Sequence, residues 1–112
     1  MNQLLCGFAA WGLGVGLTGP AQAQYMYTRL DVPGANYTEA IGINNTGQIV
    51  GRYDDADGTP HGFLRDVDGS FTTLDVPGAR FTFAIGINDA GQIVGLYLDA
   101  FGVHGFLATA GG

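Results

Sequence analysis

Gly42-Ile43-Asn44-Asn45-Thr46-Gly47-Gln48-Ile49-Val50-Gly51 returns as Gly86-Ile87-Asn88-Asp89-Ala90-Gly91-Gln92-Ile93-Val94-Gly95, an offset of 44 (Gly86 against Gly42). Each copy reads as two short apolar, β-branched segments around an Asn-x-x-Gly turn, the pattern of a β-hairpin. Working outward, Leu30-Asp31-Val32-Pro33-Gly34-Ala35 recurs as Leu74 to Ala79 at the same offset. His61-Gly62-Phe63-Leu64 recurs as His104 to Leu107, with one residue fewer in the preceding loop. Self-similarity at this period is the signature of a repeat architecture, in which each unit buries its apolar faces against its neighbours.

The repeat fixes the expected fold class as all-β. Each unit divides into four short strands, which in the second copy are Phe71–Val76, Thr82–Asn88, Gln92–Leu98 and His104–Thr109. The separators are turn formers: Pro77-Gly78, Asn88-Asp89-Ala90-Gly91 and the loop around Gly102. The reading is two tandem four-stranded antiparallel units, residues 24–68 and 69–112, resembling β-propeller blades. A blade holds four strands in roughly 40–45 residues, and a closed propeller needs at least about four blades. Two units cannot close one.

The pattern L-D-V-P-G-A, A-x-G-I-N-x-x-G-Q-I-V-G, H-G-F resembles the HAF-type extracellular repeat, found in tandem in exported bacterial proteins. The resemblance spans nearly all of residues 24–112. It departs from the family in carrying His-Gly-Phe at 61–63 and 104–106 where the eponymous motif is His-Ala-Phe. It implies a bacterial, exported β-repeat protein and transfers no activity.

Residues 1–23 read as a signal peptide. The uncharged run from Leu4 to Gly19 precedes Pro20 and Ala21-Gln22-Ala23, an A-x-A-type site that places cleavage after Ala23. The expected location is extracellular or periplasmic, with no stable membrane insertion after cleavage. Met1-Asn2-Gln3 lacks the usual basic residues, so either the α-amino group suffices or the true start lies upstream. The single cysteine, Cys6, falls in this segment, leaving residues 24–112 without a disulfide.

Composition excludes several function classes. Four basic residues, none of them lysine, stand against 10 acidic ones, for a formal charge of −6. A phosphate backbone is repelled by such a surface, so no nucleic acid is expected. A P-loop is excluded without lysine, and Ser70, the only serine, sits in an Asp-Gly-Ser turn. The expectation is no enzyme, no catalytic residue and no cofactor. Asp54-Asp55-Ala56-Asp57-Gly58 and Asp66-Val67-Asp68-Gly69 have the look of partial calcium loops. They lack the distal Glu, and Asp and Gly favour turns in any case, so no metal is assigned.

The two copies differ most on one face. Pairing outward from the Asn44–Gly47 turn sets Ile41 against Val50, Glu39 against Arg52 and Tyr37 against Asp54. In the second copy Phe83 meets Leu96 and Phe81 meets Leu98. A face expected to be charged and wet in copy one is thus apolar in copy two, where Phe81, Phe83, Ile85, Val94, Leu96 and Leu98 are the interface candidates. The opposite face is small in both copies, with Ala40 and Gly42 or Ala84 and Gly86, which permits close sheet-on-sheet approach. Three arrangements account for the apolar face. Copy one packs over copy two within a monomer, the face meets another chain in a homo-oligomer through repeat 2, or the chain is part of a longer array.

The function expected from this is a structural or interaction module that self-associates or binds a cell-surface partner. The alternative is a small lectin-like, carbohydrate-binding assembly. Its speculative ligand residues are Tyr37, His61, Phe101 and His104, with Tyr25 and Tyr27 as further exposed aromatics. His61 and His104 begin equivalent strands and are expected to hydrogen-bond loops.

Overall fold

The computed structural model describes residues 24–110; the signal-peptide reading at 1–23 lies outside the described residues. Residues 24–30 belong to a separate compact unit and carry no regular secondary structure. From residue 31 onward the chain is all-β, with no helix among the described residues. The strands are β1 (Tyr37–Ile43), β2 (Ile49–Asp54), β3 (Pro60–Arg65), β4 (Phe71–Leu74), β5 (Phe81–Ile87), β6 (Ile93–Asp99) and β7 (Gly102–Ala108). They form two antiparallel meanders, a four-stranded sheet β1-β2-β3-β4 and a three-stranded sheet β5-β6-β7.

The turns are built as their residues dictate. Asn44 Oδ1 accepts the Thr46 and Gln48 amides, and the carbonyl of Asn44 accepts the Gly47 amide. Asn88 repeats this with Ala90, Gln92 and Gly91. Gly47 at φ 96 and Gly91 at φ 85 occupy the left-handed region that the turn requires. The two turns lie side by side: Asn44 Nδ2 donates to the Asn88 carbonyl at 2.9 Å, and Asn45 donates through its amide and Nδ2 to Asp89 at 2.8 and 2.7 Å.

Two expectations are corrected. The register opposite Glu39–Arg52, Tyr37–Asp54, Phe83–Leu96 and Phe81–Leu98 is as read, but a bulge between Ala40 and Gly42 sets Val50 against Gly42 rather than Ile41. The second sheet has the same bulge between Ala84 and Gly86. An extra residue in one strand shifts all later pairs by one. The second correction concerns the strand read as Phe71–Val76 at the start of unit two, which is observed as β4, Phe71–Leu74. It pairs with β3, with Phe63 opposite Thr73 and Leu64 opposite Thr72, and so completes the first sheet. The expectation of two four-stranded units becomes four strands and three among the described residues.

The sheets stack through a small apolar core. Val50, Ala84 and Ile93 are buried, with Leu64, Leu74, Ile87, Phe106 and Ala108 packed around them. Close approach is possible because Gly42 and Gly62 present no side chain. A Cβ on Gly42 would lie 2.8 Å from the Ile85 carbonyl oxygen, and one on Gly62 would lie 3.3 Å from the Ala84 amide. Thr82 is also buried, and its Oγ1 accepts the Val76 amide, as Thr38 Oγ1 accepts that of Val32.

Candidate assembly interface

Strand alternation assigns each sheet two faces. In sheet one, Val50, Arg52, Leu64 and Leu74 share the face that packs on sheet two. In sheet two, Thr82, Ala84, Ile93 and Phe106 share the face that packs back. The stack therefore joins non-equivalent faces of equivalent sheets.

This arrangement corrects part of the expected wet face in copy one: Tyr37, Glu39 and Ile41 are exposed, but Val50 and Arg52 are covered. Arg52 is partly buried, its guanidinium 4.9 Å from the Tyr37 ring centre and 4.7 Å from that of Phe83. Glu39 lies 3.8 Å from Arg52 Nε and Asp54 3.4 Å from Nη2, so two carboxylates hold the cation over two rings. The Arg52 Nε is buried without a hydrogen-bond partner, and the two ring faces add cation–π contacts to its ion pairs. The part of that face carried by Val50 and Arg52 lies against the second sheet, while Tyr37 and Glu39 at its edge stay exposed.

Because both sheets come from one repeat, the uncovered faces can be read against their covered equivalents. Val50 is 0% exposed, and its equivalent Val94 is 49% exposed. Leu64 is half-buried, while Leu107 is 62% exposed. In the other direction, Ala84 is fully buried and Ala40 is exposed, and Ile93 is buried where Ile49 is only half-buried. Parts of both halves of the internal interface are thus repeated uncovered on the outer faces, although Phe63, the equivalent of Phe106, is itself fully buried.

Of the apolar residues singled out in the sequence, Ile85 and Val94 are exposed. Phe81, Phe83, Leu96 and Leu98 are half-buried; Phe81 and Phe83 stack on each other with centres 4.8 Å apart. Sequence reasoning missed Val103 and Leu107, both exposed, which pair with Leu98 and Val94 and so extend the same face. Their alternation with His104 and Phe106 was the available signal. On the complementary face Ala40 stands as read, but the bulge turns Gly42 to the side of Val50, and Ile49 was missed.

The polar candidates serve turns. His61 Nε2 lies 2.9 Å from Asp55, and Nδ1 lies 2.9 Å from Asp75. Burial disfavours the imidazolium, but hydrogen bonds to Asp55 and Asp75 outweigh it and raise the His61 pKa. The His61 hydrogen bond, followed by the Thr59 amide, holds the Asp55 carboxyl below its usual range. His104 Nε2 reaches Asp99 at 3.0 Å, and Asp99 also accepts the Phe101 amide, which lowers its pKa. Tyr53 and Tyr97 lie 5.1 Å from His61 and His104, respectively. Tyr37 donates to Glu39, and Phe101 is fully exposed at the β6–β7 turn. No described contact joins Tyr37 or His61 to each other or to the Phe101–His104 pair.

The aspartates of the two calcium-like stretches are engaged locally. Asp55 accepts the Asp57 and Thr59 amides, Asp66 accepts the Val67 amide, and Asp68 accepts the amide and hydroxyl of Ser70. The Ser70 bonds hold Asp68 below its usual pKa. Among the described residues, no group of three or more His, Cys, Asp or Glu side chains is placed to hold a metal ion. No family model, curated protein or solved structure matches the chain.

Proposed function

We propose that this protein is an exported, non-enzymatic repeat module that self-associates head to tail through its two outer sheet faces. The observation that carries the reading is the contrast between Val50, sealed between the sheets, and Val94, its exposed equivalent. An interface formed once within the chain, between non-equivalent faces, is complementary to its own repetition between chains. Such heterologous contacts extend until the rotation closes a ring or continues as a filament. Uncovered repeat ends are apolar surface that repeat proteins otherwise cap with polar residues. Here the exposed Ile85, Val94, Val103 and Leu107 form an apolar strip instead. The HAF-type resemblance and the A-x-A-type site support export from a bacterial cell, and a propeller-like ring of two-blade chains fits the four-stranded first sheet.

The test is the solution mass of the full chain, purified as the cell processes it, by light scattering across a concentration series. The reading expects association beyond the single chain at micromolar concentrations; a monomer throughout that range refutes it. Exposure of Phe101 favours a second reading, a carbohydrate-binding module in which this ring stacks on a sugar. Binding on a glycan array that is lost in Phe101→Ala would support it.

A further inference from the structure

The second sheet differs from the first in one respect: β7 has no neighbour on its outer side among the described residues, whereas its equivalent β3 is paired with β4. We infer that this edge is completed by residues Tyr27–Leu30 of a second copy, which add to β7 as its fourth antiparallel strand. The inference rests on the head-to-tail reading above and names the contact that locks it.

The sequence designates the donor. Tyr27-Thr28-Arg29-Leu30 stands in the place that Phe71-Thr72-Thr73-Leu74 occupies in the other copy, immediately before Asp-Val-Pro-Gly-Ala. The residues that accept β4 are equally repeated, Gly62-Phe63-Leu64 as Gly105-Phe106-Leu107. The observed pairs Gly62–Leu74, Phe63–Thr73, Leu64–Thr72 and Arg65–Phe71 therefore transfer to Gly105–Leu30, Phe106–Arg29, Leu107–Thr28 and Ala108–Tyr27. On the donor side, residues 27–29 are exposed and outside any strand, with Tyr27 78% exposed. On the acceptor side, Gly105 is exposed where Gly62 is buried.

A groove of about 480 Å3 runs along β7, lined by Leu74, Val76, Phe106 and Ala108 among others. In sheet one, Phe71 packs edge-on to Phe63 with centres 5.6 Å apart. The transferred register puts Tyr27 in that relation to Phe106, at the groove. It also carries Asp31 to the side of His104 on which Asp75 meets His61. Chain connectivity makes the donor a second copy. β4 closes sheet one and leads through Val76–Ala79 directly into β5 of the sheet stacked on it. By the same path, Leu30 leads through Val32–Ala35 into β1. The strand that closes sheet two is thus joined to the sheet one that stacks on its outer face, and that sheet one belongs to the next chain. Edge-strand addition of this kind supplies backbone hydrogen bonds to an otherwise open edge.

The experiment is disulfide trapping between two full-length single variants, Thr28→Cys and Leu107→Cys, each with Cys6→Ser, mixed and oxidised. We expect a disulfide-linked pair at twice the chain mass, lost when Val103→Cys replaces Leu107→Cys as an off-register control. Light scattering on the same samples separates this inference from the reading it rests on. Association without the trapped pair, or trapping indifferent to register, overturns strand donation and leaves face stacking intact. A monomer with no trapped pair overturns both. A Thr28→Cys, Leu107→Cys double variant that instead closes within single chains at high dilution overturns the second copy as donor. Thr28→Pro, placed in a segment without secondary structure, removes a ladder donor. It is expected to shift association at least tenfold toward higher concentration with an unchanged circular dichroism spectrum; an unshifted curve counts against the inference.

Discussion

Val50→Ala and Val94→Ala delete the same two methyl groups from repeat-equivalent positions, and the stacking of the sheets requires very different costs. Val50 is fully buried between the sheets, in contact with the cluster containing Ala84 and Ile93. Removing two carbons there forfeits about 1.6 kcal/mol of transfer free energy, at ~0.8 kcal/mol per buried CH2. The void left in a core this thin raises the total to about 2–3 kcal/mol. Val94 is half exposed in the single chain, so its truncation costs at most about 0.5–1 kcal/mol. The assay is equilibrium urea unfolding at a protein concentration low enough to keep the chain monomeric, with the unfolding slope checked for constancy. A loss at Val94 equal to that at Val50 would refute the assignment of covered and uncovered faces. The contrast should shrink at high concentration, where association buries Val94 as well.

Arg52→Ala removes a cation held over Tyr37 and Phe83 and leaves Glu39 and Asp54 without their shared cation. A loss of about 1–2 kcal/mol is expected by urea unfolding, with Arg52→Lys recovering only part of it, since ammonium stacks less well on rings. The His61 pKa is raised in the fold, so its contribution is fully present below the unfolded value of 6.5. It is lost as pH rises through the folded value. The Asp55 pKa is lowered, so its contribution is present above 3.8 and fades as pH falls below that. The urea midpoint should therefore decline from about pH 6 to pH 8 in the wild type and remain flatter in His61→Gln; parallel profiles would count against the Asp55–His61–Asp75 bridge. Gly42→Ala drives a Cβ into the Ile85 carbonyl of the facing sheet, whereas Gly86→Ala meets only Val94 within its own sheet. The first should destabilise by about 2 kcal/mol or more and the second by clearly less, measured by thermal unfolding.

Much of the fold was legible because repeats make turns conspicuous. The Asn44–Gly47 and Asn88–Gly91 hairpins place strands on either side, and side-chain alternation then gives the Glu39–Arg52 and Phe83–Leu96 pairs observed in the sheets. The bulge after Ala40 was not legible, since nothing in Ala40-Ile41-Gly42 marks an extra residue; it is set by where Gly42 must face to admit β5. The membership of Phe71–Leu74 was hidden for a different reason. A repeat fixes its period but not its phase, and a sheet can be cut from a periodic chain at any turn. Hence the strand that opens a sequence repeat can close the preceding sheet.

The candidate surface was half legible. The paired replacement of Glu39 and Arg52 by Phe83 and Leu96 pointed to an apolar face in copy two, and Ile85 and Val94 on that face are exposed. Its small partner face was named as well, but not which copy's face is covered. Ala40 and Ala84 are identical in sequence and differ only in what covers them, which is decided by the order of the sheets in the stack. Charge also misled: an arginine reads as solvent-facing, yet Arg52 lies against Phe83 because its long stem and flat head cover apolar surface.

The central claim is that the two outer faces are complementary to each other and not to themselves. Ala40→Glu places a charge on one outer face and Val94→Glu on the other, both at exposed positions. Each variant alone should be monomeric by light scattering, since every contact in a head-to-tail assembly needs one good face of each kind. Mixed in equal amounts, they should form a dimer and nothing larger, each chain contributing its one intact face. Two monomers that stay monomeric when mixed, or a single variant that still assembles like the wild type, would contradict the account.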